Sequence, residues 1–271
     1  MRKQNLRLAL NWAVQAAQAA GELMEKNLHR PKKMNHVEQH DIKLELDVRC
    51  QKTIEKILLR FWPEAAILGE EGVSGDPLAD YRWVIDPIDG TVNFTYGIPH
   101  ACVSIALQRR QSIIASSGGN PDDDYETVVG VVLDPFCHEL WTAIKGQSAR
   151  LNGRKIAVSP RTNLEESIIS MGFAKSTATL NEMLPRFTKL VPKVRKVRLM
   201  GAAALAMTYV ASGRFEAYWE AGIRLWDIAA GGLILECAGG EFWSEPVNHD
   251  HVYRVIANNG LIRKKLCDAA E

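Results

Sequence analysis

Residues 83–94 read WVIDPIDGTVNF, from Trp83 to Phe94, and the rest of the chain is best read outward from them. Trp83, Val84 and Ile85 form an apolar run of the kind that fills a buried strand. At Asp86 it gives way to alternating carboxylates and turn formers, Asp86-Pro87-Ile88-Asp89-Gly90-Thr91. Pro87 fixes φ and withdraws one backbone donor, so a rigid bend is expected, with Asp86 and Asp89 on either side of it. Two carboxylates this close repel unless a cation lies between them. The Ile88 carbonyl falls between the acids and offers a third hard oxygen, the donor type that Mg²⁺ takes. Gly90 and Thr91 read as the opening of a helix, whose free N–H groups receive anions. Taken alone, the pattern also fits a tight turn with solvated acids. A cation beside an anion cradle points instead to a phosphate ester.

The 271 residues suffice for one large domain or two closely packed lobes. With 33 basic against 32 acidic residues the net charge is +1, which argues against a nucleic-acid or membrane partner, since either needs a basic face. No apolar run reaches a membrane span, and the N-terminal residues mix apolar with polar in a way unlike a signal peptide, so a cytoplasmic protein is expected. Five scattered cysteines (Cys50, Cys102, Cys137, Cys237, Cys267) never spaced as CxxC read as free thiols rather than a disulfide framework or zinc site.

On the N-terminal side, apolar residues at helical spacing from Leu6 to Leu28 predict a packing helix. Asp47 is placed to cap a second amphipathic helix, striped by Ile54, Ile57, Leu58 and Phe61. Ala65 to Leu68 reads as a short buried strand that also ends in acid, at Glu70 and Glu71. Two neighbouring strands with acidic ends would set Glu70 beside Asp86. On the C-terminal side, strands are expected at Ala101–Leu107, Ser112–Ser116, Val128–Leu133 and Glu139–Ile144. The turn-rich stretch Ser117–Thr127 between them is expected to be a solvated loop, its aspartates included. A boundary between lobes is placed near residue 150, giving 1–150 and 151–271. The second lobe predicts a strand at Ser167–Ser170, helices at Leu180–Leu190 and Ala202–Ala211, and strands at Arg214–Glu220 and Tyr253–Ala257. A helix rich in small residues follows Trp226-Asp227-Ile228-Ala229-Ala230-Gly231, where Asp227 either caps the helix or faces a ligand. His249 and His251 read as loop residues.

DPIDGTVNF, the following GIPHACVSIAL (Gly97 to Leu107), and WDIAAG (Trp226 to Gly231) together closely resemble the inositol monophosphatase family of Mg²⁺-dependent phosphatases, and the resemblance runs on to Val255–Asn259. It implies an α+β fold of layered αβαβα type, shared with fructose-1,6-bisphosphatase-like proteins, and usually a homodimer. It implies two to three Mg²⁺ ions, held by Glu70, Asp86 and the Ile88 carbonyl and by Asp86, Asp89 and Asp227. Asp47, Glu70 and Thr91 match catalytic positions, with Thr91 and Asp47 as the pair that orients the attacking water. Asp89, Gly90, Thr91, Gly201, Ala203 and Glu220 match positions that meet the substrate. The activity implied is metal-assisted hydrolysis of myo-inositol monophosphate or a similar sugar or polyol phosphate, with the family's lithium sensitivity. Histidinol phosphatase, fructose-1,6-bisphosphatase, 3'-phosphoadenosine 5'-phosphate phosphatase and a catalytically silent binding protein are the alternatives. The chain departs from the family pattern at Lys43 and Leu44, in the segment Asp41 to Asp47, at His36, at Ala202 where a hydroxyl is frequent, and at Ser148.

Overall fold

The computed structural model describes residues 3–32, 34–37, 42–111, 124–174, 176–247 and 250–271. The strand expected at Ser112–Ser116, most of the loop before Tyr125, Asp41 and His249 lie outside them. In chain order the first half comprises α1 (Lys3–Asn27), β1 (Met34–Val37), β2 (Ile42–Leu44), α2 (Glu45–Phe61), β3 (Ala66–Gly69), β4 (Gly72–Ser74), β5 (Tyr81–Asp89), α3 (Thr91–Thr95), β6 (Cys102–Arg110), β7 (Tyr125–Asp134), β8 (Glu139–Ile144), β9 (Arg150–Leu151) and β10 (Arg154–Lys155). The remainder comprises β11 (Ile168–Phe173), α4 (Thr177–Leu190), β12 (Lys196–Arg198), α5 (Ala203–Ala211), β13 (Ala217–Arg224), α6 (Leu225–Cys237), β14 (Glu241–Pro246), β15 (Val252–Asn258) and α7 (Arg263–Ala270).

An eight-stranded sheet runs in the order β10-β9-β8-β7-β6-β5-β3-β4 and a five-stranded one in the order β12-β11-β13-β15-β14. Side chains alternate across a strand, and three separate cores follow from that alternation. Trp83 and Ile85 of β5 turn outward and join Ile105 and Val131 against Ala13, Met24, Ile54 and Leu58 of α1 and α2. Val84 turns inward, with Ala106 and Val132, onto α5 and α6, which are covered on their other side by Tyr218, Val255 and Ala257 of the smaller sheet. The far face of that sheet (Ile169, Met171, Trp219, Ile256) packs on Met183 and Leu190 of α4 and Leu266 of α7. The layers are therefore helix, sheet, helix, sheet, helix: the αβαβα order that the resemblance implies. Among the described residues no helix is long and apolar enough to cross a membrane.

The small residues of α6 are explained by its place in the middle layer. A Cβ on Gly130 of β7 would lie 2.8 Å from the Ala230 carbonyl oxygen, one on Gly231 would lie 2.8 Å from the Met207 methyl, and one on Gly232 would lie 2.9 Å from the Phe242 ring. Glycine inside a helix costs about 1 kcal/mol relative to alanine. Close approach on three sides offsets that cost.

Two local expectations are corrected. The strand begun at Trp83 does not end at Ile85 but continues as β5 to Asp89. Asp86 pairs with Ser104 and Asp89 with Cys102, so three steps on β5 answer two on β6. That is a bulge, and Pro87, which has no N–H to give, sits where the ladder skips. In a regular strand residues three apart point to opposite faces; the extra residue brings both carboxylates to one side. Asp47 is not the cap of α2 either. The helix begins at Glu45, and Asp47 in its first turn accepts the Leu44 N–H through Oδ2 at 2.7 Å, a reach back to an otherwise unpaired donor.

Candidate active site

The site gathers at one end of the two sheets, from four pieces of chain. β3 and β5 run parallel with Gly69 opposite Ile85, and the Glu70 N–H continues the ladder to the Ile85 oxygen at 3.1 Å. Glu70 thus stands beside Asp86, as the two acidic strand ends predict. From α2, Gln51 pins the turn that carries Glu70: its Oε1 accepts the Glu71 N–H at 2.9 Å and its Nε2 donates to the Gly72 oxygen at 3.1 Å.

Asp86 and Asp89 come from the bulge, and Asp227 from the first turn of α6. One oxygen of each lies within 4.8 Å of the others. Asp227 does both things expected of it, accepting the Arg224 N–H through Oδ2 at 3.0 Å while its carboxyl turns to the cluster. Asp89 also reaches across the seam to cap α5, whose own cap residue Ala202 has no side-chain acceptor. It takes the Ala203 N–H at 3.1 Å and the Ala204 N–H at 2.7 Å, placing a negative charge at the positive end of a helix.

Gly90 holds φ at 92°, and a Cβ there would come within 3.0 Å of the His100 oxygen and 3.2 Å of the Gly201 oxygen. No other residue fits this turn between the acids and α3. Thr91 Oγ1 donates to the Ile88 carbonyl at 2.9 Å, so that carbonyl keeps one lone pair for another partner. Sequence reasoning passed over two residues that tie together segments distant in the chain. Asn93 Nδ2 donates to the His100 oxygen at 2.9 Å and to the Met200 oxygen at 2.8 Å, tying α3 to the loop that carries Gly201. Ser104 Oγ donates to the Trp226 oxygen at 3.1 Å, next to Asp227. Their signal in the sequence is only a polar residue within otherwise apolar motifs.

A cavity of about 380 Å³ is lined by Glu70, Asp86, Ile88, Asp89, Gly90, Thr91, Gly201, Ala203, Glu220 and Asp227 among others. Every predicted site residue except Asp47 faces it. Asp47 is buried at the start of α2, and α3 packs on β2 just before it. Glu70 lines the cavity outside the tight group of three.

Five carboxylates line this cavity, and no lysine, arginine or histidine does so among the described residues. Burial raises Asp86 well above the usual carboxylate range, helped by the charges of Glu70, Asp227 and Asp89. Burial lifts Asp89 to about 7 against the pull of the Ala204 and Ala203 N–H groups, and Asp227 to about 7 with the charge of Asp89 adding to it. Such clustering is costly unless a cation compensates it. An all-oxygen donor set suits a hard divalent ion such as Mg²⁺ and not a softer one. The residues present therefore fit the group.

A layered α+β fold whose seam holds a buried carboxylate cluster could hold a divalent cation by its donor chemistry. Comparison with known proteins agrees: residues 5–267 match the model of the inositol monophosphatase family. The chain is 40% identical over 268 residues to Nus factor SuhB of Pseudomonas aeruginosa, covering 95% of this chain and 93% of that protein. It is 35% identical to inositol monophosphatase 1 of Solanum lycopersicum, covering 97% and 94%. The crystal structure of the extragenic suppressor protein suhB from Bartonella henselae superposes with a TM-score of 0.83 at 31% identity, over 96% of this chain and 97% of that one. The protein belongs to the inositol monophosphatase family, a family of Mg²⁺-dependent phosphatases.

Proposed function

We propose that the chain is a Mg²⁺-dependent phosphomonoester hydrolase, with myo-inositol monophosphate or a similar polyol phosphate as substrate. The observation that carries this reading is the cavity of five carboxylates with no basic side chain among its described lining residues. A phosphate ester is an anion, and such a cavity receives one only together with divalent cations. When bound, Mg²⁺ supplies neutralisation of the phosphate charge and a bound water of lowered pKa.

Asp86, Asp89 and Asp227 would hold the ions, with Glu70 and the Ile88 carbonyl completing the oxygen set. Thr91 Oγ1 spends its proton on the Ile88 carbonyl, which leaves its lone pairs to accept from the attacking water and turn that water's own lone pair to phosphorus. Asp47 is the partner of Thr91 in this reading, which is supported by the packing of α3, the helix that Thr91 opens, on β2 just before Asp47. Gly90 and Thr91 offer N–H groups to the phosphate, while Gly201, Ala203 and Glu220 meet the alcohol. Residues 1–150 and 151–271 close on the substrate as two lobes.

The test is phosphate release from myo-inositol 1-phosphate, histidinol phosphate, fructose 1,6-bisphosphate and 3'-phosphoadenosine 5'-phosphate, with and without Mg²⁺, beside Asp89→Asn. Mg²⁺-dependent turnover, best with inositol phosphate and lower by about 10²–10³-fold in the variant, is the expected result. Preference for another ester would move the substrate and keep the chemistry. No release from any of them would overturn the hydrolase reading.

A further inference from the structure

The second-lobe wall of the cavity is built by β11 and β13, parallel neighbours in which Ser170 lies opposite Tyr218 and Gly172 opposite Glu220. Residues two apart on a strand share a face, so these four line the cavity together. On this wall the Tyr218 hydroxyl donates to Glu220 Oε2. Tyr218 is 2% exposed, and its ring is fixed in the middle core. Gly172 provides the room, since a Cβ there would overlap the Glu220 carboxylate. Leu199 and Ile223 border the wall with apolar side chains.

We propose that Tyr218 is a positioning residue for substrate choice: by engaging Oε2 it fixes Glu220 with Oε1 left to accept a hydroxyl of the substrate alcohol. The site then favours phosphate esters of polyhydroxylated alcohols over esters whose leaving group has no hydroxyl to give. A carboxylate accepts only, and one oxygen is already taken, so the orientation of the second is set by the tyrosine. A bond to a charged acceptor discriminates against a partner that cannot make it. This inference rests on the hydrolase reading and specifies its substrate class.

The test compares Mg²⁺-supported hydrolysis of myo-inositol 1-phosphate with that of p-nitrophenyl phosphate, which has no leaving-group hydroxyl donors. The proteins are the parent, Tyr218→Phe, Glu220→Gln, the double variant, and Gly172→Ala. Tyr218→Phe is expected to raise KM for the inositol ester by about tenfold, the loss of one charge-assisted hydrogen bond, with kcat and the aryl ester unchanged. Gly172→Ala should act in the same selective way. In the Glu220→Gln background, Tyr218→Phe should add nothing, because it acts through that carboxylate. Equal losses on both esters, no loss on either, or effects that multiply in the double variant would overturn the proposal. Parent protein active on the aryl ester alone would remove the polyol preference and leave the hydrolase reading standing; activity on neither would remove both.

Discussion

The behaviour of Glu220 is decided by its surroundings rather than by its residue type. Burial lifts it from 4.5 to about 7, against the Tyr218 hydroxyl, which favours the ionised form. A carboxyl raised on folding binds its proton more tightly in the native state, so the stability it contributes is whole below about 4.5 and is lost as pH rises through about 7. In metal-free protein, the melting temperature of Glu220→Gln should therefore gain on the parent between those two pH values. Parallel curves for the two proteins would show that Glu220 does not titrate there. Asp89 caps α5 and, in the proposed reading, also holds a cation. Asp89→Asn keeps an acceptor but turns an amide donor toward a backbone N–H. It should cost about 1–3 kcal/mol of stability as well as activity, and urea unfolding measures that part separately.

Among the elements, α6 is the most constrained, being touched by both sheets and by α5. Gly130→Ala would press a methyl against the Ala230 carbonyl. It should lower stability by about 1–3 kcal/mol, with the site chemistry intact in what remains folded; a change below about 0.5 kcal/mol would mean that β7 and α6 separate freely. How much of this was legible in the sequence differs by element. α1 and α2 follow from periodicity, because each buries one regular stripe, and α5 follows from its alanine-rich composition, although it is buried on all sides. The edge strands β12 and β14 were missed: they are short, and their residues stay partly or fully exposed, so alternation has little to mark. The extension of β5 through Pro87 was missed as well, since proline reads as a break until the bulge opposite β6 is seen. Glu70 beside Asp86 could be foreseen from two acidic strand ends. Asn93, Ser104 and Gln51 could not, because their partners are backbone atoms distant in sequence.

At the scale of the whole molecule, the proposed cation would offset the mutual repulsion of the clustered acids. Mg²⁺ added to metal-free protein at about a hundredfold excess over its Kd should stabilise it by about 2.7 kcal/mol; thermal melts that ignore Mg²⁺ would deny the cluster its role. The thiols report the same closed packing. Cys50 and Cys102 are fully buried and Cys137 is exposed, and burial pushes Cys50 up to about 12. An alkylating reagent followed by mass spectrometry should mark Cys137 first and reach Cys50 and Cys102 only on unfolding. The order of the layers also departs from the order of the chain. As the polypeptide leaves the ribosome, the larger sheet emerges long before α5 and α6, so Val84, Ala106 and Val132 have nothing to cover them. Until α6 has been synthesised, the nascent chain carries Asp86 and Asp89 without Asp227 on an uncovered apolar sheet face, the kind of surface that makes folding intermediates prone to aggregate.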